Sequence, residues 1–426
     1  MTGNAWGSYI GYGIDLTYSF ISPSSKLNVG YKDPGSTQNS SAIFQSTVAD
    51  ILELYSSVSL LNFSEVSEVG NTTGHIRIGT STGPPTEAYA WAPFTSYYSN
   101  HYAAGDMWLK SLDNNYNNGL SLTDGTYENS AIAHEIGHTL GLTHPHEATN
   151  FRGIKTYGTS VSTGTEHTSL PYTVMAYTQY VGDSTTLQPG RGTSLKFKPT
   201  TLMIDDIAAL QYLYGINEQY NSGDNTYTLG SFSKDSLNYM YASIWDAGGT
   251  DAFSWADQST IAVIDLNSGS FSYFGNISGV NDSDLASDNW SAGDGLLGIA
   301  YGATIENAIG GSASDTIVGN SVANTLYGGT GAGVKDTLKG NGGADIFVCS
   351  LSDASTDLSV ADIISDFTNG TDFIGLEDRS FSDLSFSNVS GGTKIVDTGS
   401  SKILFWLDGI DYSVIDDTDF VVTDFV

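Results

Sequence analysis

Cysteine is almost missing from this chain. Cys349 is the only one among 426 residues, so no disulfide can form within it. Small secreted domains commonly rely on disulfides, so the count alone favours a reducing compartment or a different kind of staple. Bases are also few: 15 Lys and Arg stand against 47 Asp and Glu, a net charge of −32. That balance excludes ordinary nucleic-acid or anionic-membrane binding, both of which need a basic face. No apolar run reaches the ~18 residues that a membrane-spanning helix needs. The opening stretch, MTGNAWGSYIGYGIDLTYSF, has no basic start and no apolar middle, so it does not read as a Sec signal peptide.

Apolar material is present in quantity: 39% of residues are hydrophobic, with 25 Tyr and 18 Phe. Disordered chains are poor in aromatics, so folded cores are expected. A single core stops growing near ~250–300 residues, so the length calls for two domains. The charge is uneven between them. Residues 1–200 hold 15 acidic and 9 basic side chains and residues 201–426 hold 32 and 6, an excess negative charge of 6 against 26. A domain carrying that excess repels itself unless it is very soluble, salt-adapted or neutralised by bound cations.

Phe44, Val48, Ile51 and Tyr55 recur at helical spacing, which predicts an amphipathic helix over FQSTVADILELYSSV. Alternation predicts short strands at HIRIG (75–79), AYAWA (88–92) and GDMWLK (105–110). A second helix is expected from near Glu128 through AIAHEIGHTLG. A third is expected over TLMIDDIAALQYLYG, ended by Gly215. Beyond it the text changes to short strands and Gly-Asp pairs. The reading is an α+β domain over 1–215, then an all-β domain over 216–426.

The second half repeats itself. GGSASDTIV (310–318), GNSVANTLY (319–327), GGTGAGVKDTLK (328–339) and GNGGADIFV (340–348) start nine, nine and twelve residues apart. They fit the nonapeptide G-G-x-G-x-D-x-U-x, where U is a large apolar residue. Glycines permit tight turns and expose carbonyls, Asp supplies a carboxylate, and U packs inward. Stacked as a parallel β-roll, such turns sandwich Ca²⁺ between hard oxygen ligands. Ala313 and Val322 replace the fourth-position Gly, Asn324 replaces Asp, and three extra residues interrupt the third unit.

The segment HEIGHTLGLTHP (134–145) spells H-E-x-x-H-x-x-G-x-x-H, the metzincin zinc pattern. On a helix His134 and His138 lie one turn apart on one face. Gly141 can take the positive φ that ends the helix, and His144 then supplies a third nitrogen. Three ligands leave a position open for water, as a catalytic zinc site requires. Glu135 stands beside the metal as general base. The other histidines, His75, His101, His146 and His167, lack this spacing and read as ordinary residues. Met175, 31 residues after His144 in LPYTVMAYTQY, fits the methionine turn that floors such sites.

On these motifs the chain resembles the serralysins, bacterial zinc proteases with a calcium-binding repeat domain. Pro145 after the third histidine, the segments DIAALQYLYG, WDAGGTD and ATIENAIGGS, and the repeats carry the likeness. The resemblance implies one catalytic zinc held by His134, His138 and His144, with Glu135 as base. It implies Tyr177 as a further zinc ligand at rest that stabilises the oxyanion during turnover. Ala176 stands where a serine is common. It also implies that Ala88, Tyr89 and Ala90 bind extended substrate by strand addition.

For calcium the resemblance implies several structural ions. One site takes Asn221, Gly223, Asn225, Asp246, Gly248, Gly249, Asp251, Thr304 and Glu306. In the roll, Gly311, Ala313 and Asp315 face Gly328, Thr330 and Asp336. Asn324 faces Gly340, Gly342 and Asp345, a weaker site because Asn324 is neutral. Asp362, Asp366 and Asp372 are candidates for one more.

The implied setting is extracellular. The enzyme would leave through a type I secretion machinery that reads an uncleaved C-terminal signal, here TDFVVTDFV. Its partners would be protein substrates and a proteinaceous inhibitor, and it would act as a monomer. Two rivals keep parts of this reading: a calcium-dependent surface module with a silent site, and a zinc hydrolase of another substrate.

Overall fold

Ser41 starts the first helix, its Oγ accepting from the Phe44 amide at 3.2 Å. This helix, α1 (Ala42–Val58), buries Phe44, Val48, Ile51 and Tyr55 on one face, as their spacing predicts. The computed structural model describes residues 5–7, 9–23, 37–70, 72–82, 88–93, 103–110, 127–145, 150–151, 154–155, 166–178, 197–228, 239–274, 295–331, 333–377 and 379–423. These divide into two compact units, the first holding residues up to 220 with 239–245, the second 221–228, 246–274 and 295–423.

In the first unit α1 covers a twisted sheet whose strands are β1 (Ile14–Phe20), β2 (Leu61–Glu65), β3 (Ile76–Ser81), β4 (Ala88–Ala90) and β5 (Met107–Lys110). Their spatial order is β2-β1-β3-β5-β4, with Thr37–Gln38 pairing β3 in addition. The pairs β1–β2, β1–β3 and β3–β5 are parallel. β4 runs antiparallel to β5, Tyr89 opposite Trp108, and Thr37–Gln38 runs antiparallel to β3. The strand β3 is buried throughout, as suits the centre of a covered sheet. Gly79 is required there, because a Cβ would sit 2.6 Å from the Trp108 ring. Arg77 on β3 makes a bidentate pair with Glu68 at 2.7 and 3.0 Å, both side chains buried. Two further helices, α2 (Tyr127–Thr139) and α3 (Ile204–Tyr214), complete this unit. Tyr55 of α1 donates to the Ala133 carbonyl of α2 at 2.7 Å.

The second unit is all-β, and its repeats feed two parallel sheets in turn. Down one sheet, Ala252, Asn307, Thr325, Ile346 and Phe373 are register partners in succession. Down the other, Val263, Thr316, Thr337 and Ile363 follow one another. Successive partners Asn307 and Thr325 lie two nonapeptides apart, and the pairs Thr316–Thr337 and Thr325–Ile346 add the three-residue insertion. The predicted inward residues Ile317, Leu326, Leu338 and Phe347 are all fully buried. The parallel roll expected from the repeats is therefore the architecture found. It ends in an antiparallel run, Leu384–Val389, Gly392–Asp397 and Ile403–Asp408, which continues the second sheet.

Candidate metal centre

The HExxH segment lies on α2, where the helical turn brings the His134 and His138 rings to a centroid separation of 4.8 Å. The helix then stops in a Schellman arrangement. Gly141 takes φ +95°, its amide donates to the His138 carbonyl, and the Leu142 amide donates to the Gly137 carbonyl. Two more end carbonyls find side chains: Trp6 Nε1 donates to Thr139 O at 2.8 Å, and Tyr214 Oη donates to Leu140 O at 2.7 Å. With its end fixed, the chain returns and delivers His144.

The three imidazoles converge. His144 Nε2 lies 3.1 Å from both His134 Nε2 and His138 Nε2. The other ring nitrogens of the helical pair face carbonyls: His134 Nδ1 meets Val174 O at 2.9 Å, and His138 Nδ1 meets Leu142 O at 2.9 Å. A carbonyl only accepts, so those Nδ1 atoms carry the protons and the Nε2 lone pairs point at one another. Lone pairs so close repel unless a cation lies among them. Three imidazole nitrogens, two of them oriented by backbone carbonyls, are the donor set of a zinc site. The residues present fit a zinc ion.

Tyr177 Oη lies 2.6 Å from His144 Nε2, and its ring stacks over His134 at a centroid separation of 5.7 Å. Met175 is buried under α2, its Sδ where a side chain at Gly137 would lie, 2.7 Å from an ideal Cβ. Glu135 is buried, burial pushes its carboxyl up to about 8, and its Oε2 closes no hydrogen bond. Ala88, Tyr89 and Ala90 form β4, the last strand in the sheet's spatial order. His101 and His146 lie outside the described residues. His167 pairs with Asp205 at 2.8 Å on the surface.

The second unit gathers its acids as the repeats require. Asp251 accepts from the Asn225 amide at 2.7 Å, Glu306 from the Asp251 amide at 2.8 Å, and Asp246 from the Gly248 amide at 2.9 Å. Gly249 has φ +149°, and a Cβ there would lie 2.5 Å from Gly223 O. Asn221, Gly223, Asn225, Asp246, Gly248, Gly249, Asp251 and Glu306 are thus drawn around one corner, with Thr304 just before Glu306. In the roll Thr330 N donates to Gly311 O at 2.9 Å, and Asp315 N to Asp336 Oδ1 at 2.7 Å. Ala313 is half-buried on the turn between Gly311 and Asp315. Across the other turn, Asn324 N donates to Asp345 Oδ1 at 2.8 Å and Gly342 N to Asn320 O at 3.1 Å. Gly340 packs against the Asp345 carboxylate. The Asn324 side chain bonds to Glu306 O at 2.8 Å and to the Asn320 amide at 2.7 Å.

A ladder invisible in the motif links these aspartates. Each accepts from the backbone amide one turn earlier: Asp336 from Asp315, Asp362 from Asp336, Asp345 from Asn324 and Asp372 from Asp345. Asp366 accepts instead from Gly340 and Asn341. Of the expected grouping, Asp366 and Asp372 share the turn between strands Ile363–Ile364 and Phe373–Leu376, whereas Asp362 precedes the first of these strands. The carboxylates that converge are Asp336, Asp353 and Asp362, all buried, with one oxygen of each within 4.8 Å of the others. Asp336 Oδ2 closes no hydrogen bond. Burial first, then the neighbouring Asp315 and Asp353 charges, push Asp336 up to about 8. Asp362 and Asp353 also rise because burial disfavours charge on each. Sequence reasoning missed Asp353 because it stands outside every nonapeptide.

Comparison with known proteins agrees with this geometry. Residues 206–398 match the serralysin C-terminal domain of the M10 peptidases, and residues 91–199 match a reprolysin-like metallopeptidase of family M12B. Serralysin C of Dickeya chrysanthemi is 34% identical over 319 residues, 71% of this chain and 58% of that protein. Metallopeptidase AprA of Pseudomonas marginalis is 30% identical over 73% of this chain and 61% of its own length, and serralysin of Proteus mirabilis 31% over 72% and 59%. The matched stretch thus spans less than two-thirds of these relatives. Over these matched stretches the chain is similar to the serralysins.

Proposed function

We propose that the chain is a secreted bacterial zinc endopeptidase with a calcium-stapled second domain, the boundary falling near residue 215. The observation that carries the reading is the histidine cluster, whose Nε2 atoms meet at 3.1 Å around His144 while the Nδ1 atoms of His134 and His138 face carbonyls. His134, His138 and His144 would hold the ion, with Tyr177 Oη beside them. The chemistry a bound zinc supplies is that of a Lewis acid, polarising a peptide carbonyl and acidifying a water.

The chain's own residues do the rest. Glu135 takes the proton from the attacking water and passes it to the leaving amine. Its buried carboxyl favours the neutral form, and a neighbouring cation restores the carboxylate that a base must be. Tyr177 is 38% exposed, so its phenol can leave His144 and donate to the developing oxyanion. An extended peptide added antiparallel or parallel to β4 would be read through its backbone, which suits broad specificity. Met175 and the α1 face keep the far side of the cluster dry.

Calcium in the second unit follows from the same logic. Buried carboxylates at Asp246 and Asp251 beside half-buried Glu306, between the facing roll turns, and at Asp336–Asp353–Asp362 cost stability unless protonated or bound to cations. Export through a type I channel and capture by a proteinaceous inhibitor follow from the likeness to serralysins.

A casein zymogram run with and without a zinc chelator tests the whole reading. We expect clearing that the chelator removes and added zinc restores. A folded, zinc-loaded protein that leaves casein intact would refute it.

A further inference from the structure

Asp206 is 2% exposed and lies at the start of α3, far in sequence from the zinc motif. It accepts three hydrogen bonds: Thr173 Oγ1 donates to Oδ1 at 2.6 Å, and the Val174 and Met203 amides donate to Oδ2 at 2.8 and 3.0 Å. One of these three bonds belongs to helix capping. The other two grip the methionine turn.

The grip reaches the metal cluster through one peptide group. The Val174 carbonyl and the Met175 amide are the two ends of a single planar unit. At the amide end, Met175 N donates to Thr173 Oγ1 at 3.0 Å, and that hydroxyl is the one donating to Asp206. At the carbonyl end, Val174 O receives His134 Nδ1 at 2.9 Å. With the preceding Val174 amide also held by Asp206, the plane cannot rotate without breaking a buried hydrogen bond. The carboxylate therefore sets the direction of the carbonyl that fixes the tautomer and ring angle of His134.

We propose that Asp206 is a positioning residue for the zinc ligand His134, acting through Thr173 and the Val174–Met175 peptide. The proposal rests on the zinc reading above. It adds that a residue touching neither metal nor substrate controls how tightly the metal is held. Partners that orient ligands from behind in this way typically matter by ~10–100-fold in metal affinity.

The test is a zinc titration against a chromogenic chelator, using the full chain with calcium present. Asp206→Asn keeps the volume but turns one acceptor into an NH₂ group that faces a donor. We expect its zinc affinity to fall ~10–100-fold, with casein cleavage lost at stoichiometric zinc and recovered in excess zinc. Thr173→Val, which keeps Asp206 and removes only the relay hydroxyl, should weaken zinc in the same direction by a smaller factor. A purely structural role would lower the melting temperature without that zinc-dependent recovery. Parent-like zinc affinity in a folded Asp206→Asn chain overturns the proposal, as does collapse of both variants. Because zinc affinity is read directly, a chain that binds zinc but cleaves nothing would sink the protease reading and leave this one standing.

Discussion

The two units solve the metal problem in opposite ways. In the first, the donors are neutral imidazoles, and backbone carbonyls at Val174 and Leu142 aim them. Neutral rings repel one another far less than buried carboxylates do. In the second, the donors are carboxylates buried side by side, and Asp336 is pushed up to about 8 by its surroundings. Such a cluster is stable only with protons or cations inside it. On the proposed reading, the first metal would serve chemistry on a finished scaffold, while the second kind would belong to the scaffold itself.

The sharpest way to break this contrast is to change the first unit's base alone. Glu135→Gln should lower casein cleavage by ~10²–10⁴-fold, the range for a general base. Zinc content and calcium-dependent melting should stay at parent values. A variant that loses zinc as well would make Glu135 part of the scaffold and blur the distinction. Tyr177→Phe is the next step down. Loss of one oxyanion donor should cost ~10²-fold in kcat with KM little changed, measured on a peptide substrate. A shift confined to KM would move Tyr177 from chemistry to substrate binding.

The smallest effect, and the most diagnostic for the second unit, is the pH dependence of melting in chelator. Unfolded aspartates titrate near ~3.9, whereas folded Asp315 and Asp345 rise to about 6 and Asp336 to about 8, burial being the leading cause. A carboxyl raised on folding favours the folded chain while protonated. Its contribution is complete below the unfolded value and is lost as pH climbs through the folded one. Without calcium, the second unit should therefore melt several degrees higher at pH 5 than at pH 9. With millimolar calcium the slope should vanish or reverse, since protons then compete with the ion. A calcium-free melt that rises with pH would contradict the clustered carboxylates.

Much of this was legible along the chain, and particular residues show why. The α1 face read correctly because Phe44, Val48, Ile51 and Tyr55 obey a local period of a single helix. His134, His138 and His144 sit within eleven residues, so one helical turn and one glycine suffice to bring them together. The roll was legible because a nine-residue period sets strand, turn and inward side chain at once. Asp353 and Asp206 were not. Their partners lie on other elements, and nothing near them in sequence marks the contact.

What the sequence by itself determined is the chemistry: which atoms can bind zinc, which can bind calcium, and which repeat stacks. Those properties follow from residue type and short-range spacing, and both are written in the chain. Only the tertiary structure decided how those atoms are aimed. It set the Val174 carbonyl behind His134, Trp6 and Tyr214 on the end of α2, and three buried carboxylates against one another. Such choices depend on contacts between distant segments, where burial fixes the worth of each hydrogen bond and charge.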